Sequence, residues 1–140
     1  MSVVYVDSSA LVKLLVLERE TESVLNVVNQ HLGDGTQVVT STLTRVELNR
    51  VRVRLDQTGP DEARFAASAI DEILDAVALM QITNEVIDEA AVIEHHVKSL
   101  DAIHLATALR LGEELEELIT FDDNMSRVGQ LLELPVSDLS

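Results

Sequence analysis

The sequence predicts an α/β fold, a short, mostly parallel sheet covered by helices on both faces. Three observations predict it. Short apolar runs are separated by segments of helical length and periodicity. The runs are apolar throughout, as strands buried on both sides are, where a half-exposed strand would alternate. Two of them, Val3-Val4-Tyr5-Val6-Asp7 and Leu118-Ile119-Thr120-Phe121-Asp122, end in a carboxylate, and in such sheets ligands bind beyond the carboxyl ends of the strands.

Residues 3–6 are β-branched and aromatic, and they read as a buried strand. Ser8 and Ser9 are good caps for a helix over 10–17, which would leave Asp7 spare at the strand end. A second helix over 20–32 is stopped by Gly33-Asp34-Gly35. A short strand at 37–40 precedes a helix over 42–56, and Gly59-Pro60 breaks the chain before an alanine-rich helix over 61–76. A strand at 79–82 leads into a helix over 84–97. Ser99 then caps a helix to 111, which Gly112 ends. The block Glu113, Glu114, Glu116 and Glu117 reads as a solvated helix end. A strand at 118–121, a helix over 123–132 and an edge strand at 134–136 complete the chain.

One domain spanning 1–140 is expected, because no repeat, linker or low-complexity stretch interrupts the 140 residues. Hydrophobic residues at 46% and charged residues at 25% make an ordinary globular mixture. The absence of cysteine excludes a disulfide scaffold, a thiolate zinc site, a cysteine nucleophile and an iron–sulfur centre. No apolar run reaches the roughly 20 residues of a membrane span, and Met1-Ser2-Val3-Val4 opens into a strand without a basic leader. A cytoplasmic protein is expected. The net charge of −15 is the opposite of a nucleic-acid binder's. A polyanionic substrate would need a local reversal of sign, from clustered arginines or a bound divalent cation.

Four acids are placed to hold such a cation. Asp7 and Asp122 stand at strand ends, with Asp123 an alternative beside the latter. At roughly 100° per residue, Leu43, Glu47, Arg50, Val51 and Arg54 share one side of their helix, so Glu47 lies within an apolar arc. Asp101 shares its face with Leu105 and Ala108. Each acid also has a structural alternative. Asp7 and Asp122 can cap helices, Glu47 can complete a capping box with Thr44 or pair with Arg50, and Asp101 can complement the helix dipole. Jointly they say more. Two bare carboxylates ~4 Å apart repel by about 4 kcal/mol at an effective dielectric of about 20. A cluster of them must hold protons at raised pKa or hold a cation. Oxygen ligands without sulfur point to Mg²⁺ or Mn²⁺.

In order and spacing, four segments resemble the PIN-domain ribonucleases, and within them the VapC-type toxins of toxin–antitoxin pairs. They are Val4-Tyr5-Val6-Asp7-Ser8-Ser9-Ala10-Leu11, Leu43-Thr44-Arg45-Val46-Glu47-Leu48, Ser99-Leu100-Asp101-Ala102-Ile103-His104-Leu105-Ala106-Thr107-Ala108 and Leu118-Ile119-Thr120-Phe121-Asp122-Asp123. The resemblance implies a PIN-like three-layer α/β/α sandwich. It also implies an endoribonuclease that hydrolyses RNA phosphodiesters at an acidic quartet with Mg²⁺ or Mn²⁺. Position by position, Asp7, Glu47, Asp101 and Asp122 match that catalytic, metal-binding quartet, with Asp123 as the adjacent alternative. Ser8 or Ser9, and Thr120, match hydroxyl positions that support the acids. Family members commonly form homodimers and are neutralised by a small antitoxin whose C-terminal segment occupies the active-site groove. Met125 departs from the family, in which an aromatic residue often follows the last acidic motif.

Arg45, Arg50, Arg52 and Arg54, four of the eight arginines, lie on the Glu47 helix. Arg50 and Arg54 share its side and are candidates for RNA phosphates. The alternative is a solvated face paired with Asp56 and Glu18. Tyr5, Phe65 and Phe121 are the only aromatics, which leaves little for base stacking. His95 and His96 point about 100° apart with no partner at i+4, and His104 reads as a packed helix residue. Two rival functions stand beside the nuclease. A phosphatase-like hydrolase of the haloacid dehalogenase type wants a second aspartate where Ser9 stands. A catalytically silent binding module would use its acids only as caps.

Overall fold

The computed structural model describes residues 2–137 and Leu139. At its centre lie β1 (Val3–Val6), β2 (Gln37–Ser41), β3 (Ala78–Met80) and β4 (Leu115–Ile119), in the order β3-β2-β1-β4. Every pairing between them is parallel, so the expected mostly parallel sheet is wholly so. The chain builds outward from β1 through β2 to β3, then crosses back to lay β4 on the other side of β1. That reversal opens a crevice at the carboxyl ends of β1 and β4, the usual ligand position in such sheets.

Alternation along β1 divides the core in two. Val4 and Val6 face Leu11, Val24, Leu48, Ile70 and Ile73. These come from α1 (Ser8–Leu11), α2 (Thr21–Gly33), α3 (Thr42–Leu55) and α4 (Pro60–Ala76). Val3 and Tyr5 face Leu105, Leu118, Met125 and Val128. On this side lie α6 (Ser99–Leu109) and α7 (Asp123–Leu131), with α5 (Asn84–Ala91) against α6. The result is the three-layer α/β/α sandwich. No helix among the described residues is long and apolar enough to cross a membrane.

Several boundaries differ from expectation, each for a local reason. The helix expected over 10–17 is the single turn α1 followed by a 3-10 turn at Val12–Leu14. The helix expected to reach 97 stops at Ala91. Val92 and Ile93 are β-branched and poor helix formers, and Ile93 and Val97 turn inward to pack on the second core. The strand expected at 79–82 lies at 78–80. The one expected at 118–121 lies at 115–119, so Glu116 and Glu117 are strand residues and Glu113 and Glu114 form a 3-10 turn. The edge tolerates them: the register with β1 slips past Glu116, which is exposed, and Glu117 meets His31 at 3.0 Å. The edge strand expected at 134–136 is reduced to one bridge, Val136 to Leu118, because Pro135 has no N–H for a ladder. Gly129 admits this segment, since a Cβ there would stand 2.9 Å from Val136 Cγ2.

Candidate active site

β1 delivers Asp7 to the crevice, where it is 2% exposed. Its Oδ1 accepts hydrogen bonds from Ser9 Oγ at 2.7 Å and the Ala10 N–H at 3.0 Å, and its Oδ2 accepts from Thr120 Oγ1 at 2.5 Å. Asp7, not Ser8 or Ser9, is therefore the N-cap of α1. The extended backbone at Asp7 aims its carboxylate back over the first turn, whereas Ser8 and Ser9 are already helical. Ser9 is the supporting hydroxyl; no hydrogen bond from Ser8 to an acid occurs among the described residues. Each hydroxyl has one proton, and Ser9 and Thr120 both direct theirs to Asp7. Their lone pairs accept the N–H groups of Phe121 at 2.8 Å and Asp122 at 3.1 Å. The segment after β4 is thereby tied to the end of β1. Burial still pushes the Asp7 carboxyl above its ordinary pKa, more than these donors bring it down.

Asp122 caps α7 through Oδ1, which accepts from the Met125 N–H at 2.7 Å. It is half-buried, while Asp123 is exposed. Asp101 sits in the first turn of α6, whose N-cap is Lys98 and not Ser99. Its pKa is raised, first by burial and then by the Asp122 carboxylate; Asp7 and Glu47 add to the rise, and His104 opposes it. Acids from the end of β1, from α3 and from the segment after β4 thus act on the one carboxyl of α6.

Glu47 enters from α3, which is capped by Ser41, whose Oγ accepts the Leu43 N–H at 3.1 Å. The capping box of Thr44 and Glu47, the structural alternative for Glu47, is absent. Thr44 lies inside the helix with its hydroxyl 2.7 Å from that of Thr40. Glu47 Oε1 instead accepts from His104 Nε2 at 2.8 Å, and His104 Nδ1 lies 2.6 Å from the Tyr5 hydroxyl. The expectation of His104 as a packed residue accounts for its burial and misses this link. A signal existed: His104 is three residues after Asp101 on a helix, and Tyr5 two before Asp7 on a strand, each pair sharing a face. Arg50 and Arg54 are exposed and touch none of the acids among the described residues, and Arg52 pairs with Asp56 at 3.6 Å. Glu18 pairs with Lys13.

The donor set, carboxylates without sulfur, suits a hard divalent cation. Among the described residues no three acid or histidine side chains close on a single point. Burial first, and then repulsion from the Asp122 carboxylate, raises the Asp101 pKa. The arrangement has surplus negative charge that a cation or protons would relieve.

Comparison with known proteins bears on the fold and the family. The PIN domain family model matches residues 4–131. The chain is 40% identical over 124 residues to ribonuclease VapC47 of Mycobacterium tuberculosis (strain CDC 1551 / Oshkosh), covering 87% of this chain and 86% of the relative. It is 34% identical over 137 residues to ribonuclease VapC46 of M. tuberculosis (strain ATCC 25618 / H37Rv), covering 97% of each. Among solved structures, VapBC2 from Rickettsia felis, bound to a DNA fragment from its promoter, superimposes with a TM-score of 0.71 at 11% identity. It covers 96% of this chain and 97% of that one.

Proposed function

The chain belongs to the PIN domain family and groups with the VapC ribonucleases, and on that premise we propose that it is the toxin of a toxin–antitoxin pair. Its activity is hydrolysis of RNA phosphodiesters at Asp7, Glu47, Asp101 and Asp122 with Mg²⁺ or Mn²⁺. The observation that carries this reading is the match to the PIN domain family and to ribonuclease relatives over nearly the whole chain, with buried Asp7 held by Ser9 and Thr120 at the carboxyl end of β1. Asp7 and Asp101 would hold the ion directly, and Glu47 and Asp122 directly or through water. Asp122 is preferred to Asp123, which faces solvent.

When bound, the cation neutralises the phosphate and makes water a better nucleophile at neutral pH. The chain's own residues do the rest. Ser9 and Thr120 hold the Asp7 carboxylate with both oxygens occupied by donors. The Asp122 cap fixes that carboxylate at the head of α7. One of the four carboxylates receives the attacking water's proton. Arg50 and Arg54, exposed on α3, attract RNA phosphates from outside the crevice.

The partner is a small antitoxin that places a basic side chain among the acids. The net charge of −15 favours it, and an apolar groove lined by Leu14, Leu17, Leu25, Leu32 and Phe65 supplies nonpolar contact. The chain acts as one PIN-like domain over 1–140, as a homodimer in the cytoplasm. The testing experiment is incubation of the purified chain with RNA, with Mg²⁺ or with chelator. Cleavage that needs the ion and is lost in Asp101→Asn supports the reading. Ion-independent cleavage, or none, refutes it.

A further inference from the structure

His104 is buried beside the acids, its side chain 1% exposed, and the reaction proposed above gives it no task. Both of its ring nitrogens are engaged, Nε2 by Glu47 Oε1 at 2.8 Å and Nδ1 by the Tyr5 hydroxyl at 2.6 Å. A carboxylate only accepts hydrogen bonds, so the proton of this link sits on Nε2. The Tyr5 hydroxyl is fully buried. A phenol ordinarily ionises at pH ~10, so it keeps its proton at neutral pH and donates to Nδ1. The chain of donors runs one way, from Tyr5 through the imidazole to Glu47.

We propose that Tyr5 and His104 are positioning residues for the proposed cation site: the Tyr5 hydroxyl selects the Nε2–H tautomer of His104, which holds the Glu47 carboxylate in the acidic cluster. The need for such a holder is physical. Glu47 reaches the crevice from α3 on a flexible side chain that is 25% exposed, and solvent and repulsion from the other acids both favour its swinging outward. Its anchor is built on the two elements that carry Asp7 and Asp101. Tyr5 precedes Asp7 by two residues on β1, and His104 follows Asp101 by three on α6. One relay therefore sets Glu47 relative to both. No buried side-chain oxygen or nitrogen in it is left without a partner among the described residues.

The inference rests on Glu47 being a cation ligand, and the test separates the two claims. The full chain and four variants are titrated with Mn²⁺ by calorimetry, RNA cleavage gives kcat and KM, and nitrogen chemical shifts from NMR of the metal-free protein read the His104 tautomer at about pH 8. The parent should show the neutral Nε2–H form. Tyr5→Phe keeps the ring and should mix the tautomers and weaken Mn²⁺ binding about tenfold. His104→Leu should weaken it similarly, lowering kcat with little change in KM. His104→Gln restores an amide donor near the Nε2 position and should recover most of the loss. If His104→Leu fails to fold, Tyr5→Phe and His104→Gln decide the matter. The inference is overturned if the parent holds the proton on Nδ1 or on both nitrogens. It is also overturned if Tyr5→Phe and His104→Leu bind Mn²⁺ within about twofold of the parent while Asp101→Asn abolishes binding; the functional reading then survives. A parent that binds no Mn²⁺ overturns both.

Discussion

Thr120, in the segment just after β4, directs its hydroxyl proton to Asp7 Oδ2 at 2.5 Å, joining the ends of two adjacent parallel strands by one hydrogen bond. Thr120 Oγ1 in turn accepts the Asp122 N–H at 3.1 Å. Thr120 therefore sets the distance between two of the four acids.

Replacing that hydroxyl tests the link. Thr120→Val preserves shape, but leaves Asp7 Oδ2 and the Asp122 N–H short of a partner. A buried group left unsatisfied costs about 1–3 kcal/mol, so denaturant melts should show a loss of that order. The Asp7 pKa, already raised by burial, should rise further, because a donor that opposed the rise is gone. Unchanged stability and unchanged Asp7 titration by NMR would contradict this account.

Thermal stability without metal should depend on pH in a defined direction. Asp7 and Asp101 both have folded-state pKa values above their unfolded ones. Their ionisation therefore costs nothing below the ordinary carboxylate range of about 4. The cost grows as pH rises toward the raised values and is complete above them. In chelator, Asp101→Asn should thus gain on the parent as pH rises through this window, and the gap should then stay level. A gap independent of pH, or one that opens toward acid, would show that Asp101 carries no such penalty.

Mg²⁺ should raise the thermal midpoint of the parent, because an ion bound only by the folded state stabilises it by mass action. The increment should shrink in Asp101→Asn, whose metal-free midpoint starts higher. Calorimetric scans with and without millimolar Mg²⁺ check this. No ion-dependent shift in the parent would count against a cation at these acids.

Glu47→Gln retains an Oε1 acceptor for His104 and removes the charge. Stability should change by less than about 1 kcal/mol, while RNA cleavage should fall by about tenfold or more. The opposite result, stability lost and cleavage kept, would make Glu47 a structural partner of His104 and nothing else.

The proposed antitoxin should lower the apparent affinity for Mg²⁺ and block cleavage, since its basic side chain and the ion seek the same oxygens. Exposed ion pairs are worth only about 0–1 kcal/mol each, so apolar contacts should carry most of the affinity. Raising salt should slow association more than it weakens the complex in stopped-flow measurements. A bound partner that leaves Mg²⁺ affinity and cleavage untouched would refute the competition.

By itself the sequence determined the parallel α/β architecture, because fully apolar runs such as Val3-Val4-Tyr5-Val6 make sense only as strands covered on both faces. It also placed Asp7 at a strand end and set Glu47 and Asp101 on inward helix faces, since periodicity is a local property, whereas Asp122, expected at a strand end, lies beyond β4 as the cap of α7. Which neighbour does what was left to tertiary structure. Asp7 rather than Ser8 or Ser9 caps α1, Ser41 replaces Thr44 as the cap of α3, and Asp122 rather than Asp123 caps α7. The bond from His104 to Glu47 spans 57 positions and that from Tyr5 to His104 spans 99. Contacts of that separation arise only when α3 and α6 are brought to the same edge of the sheet. Periodicity assigns a side chain to a face, and only the packing of one element against another supplies the atom it meets there.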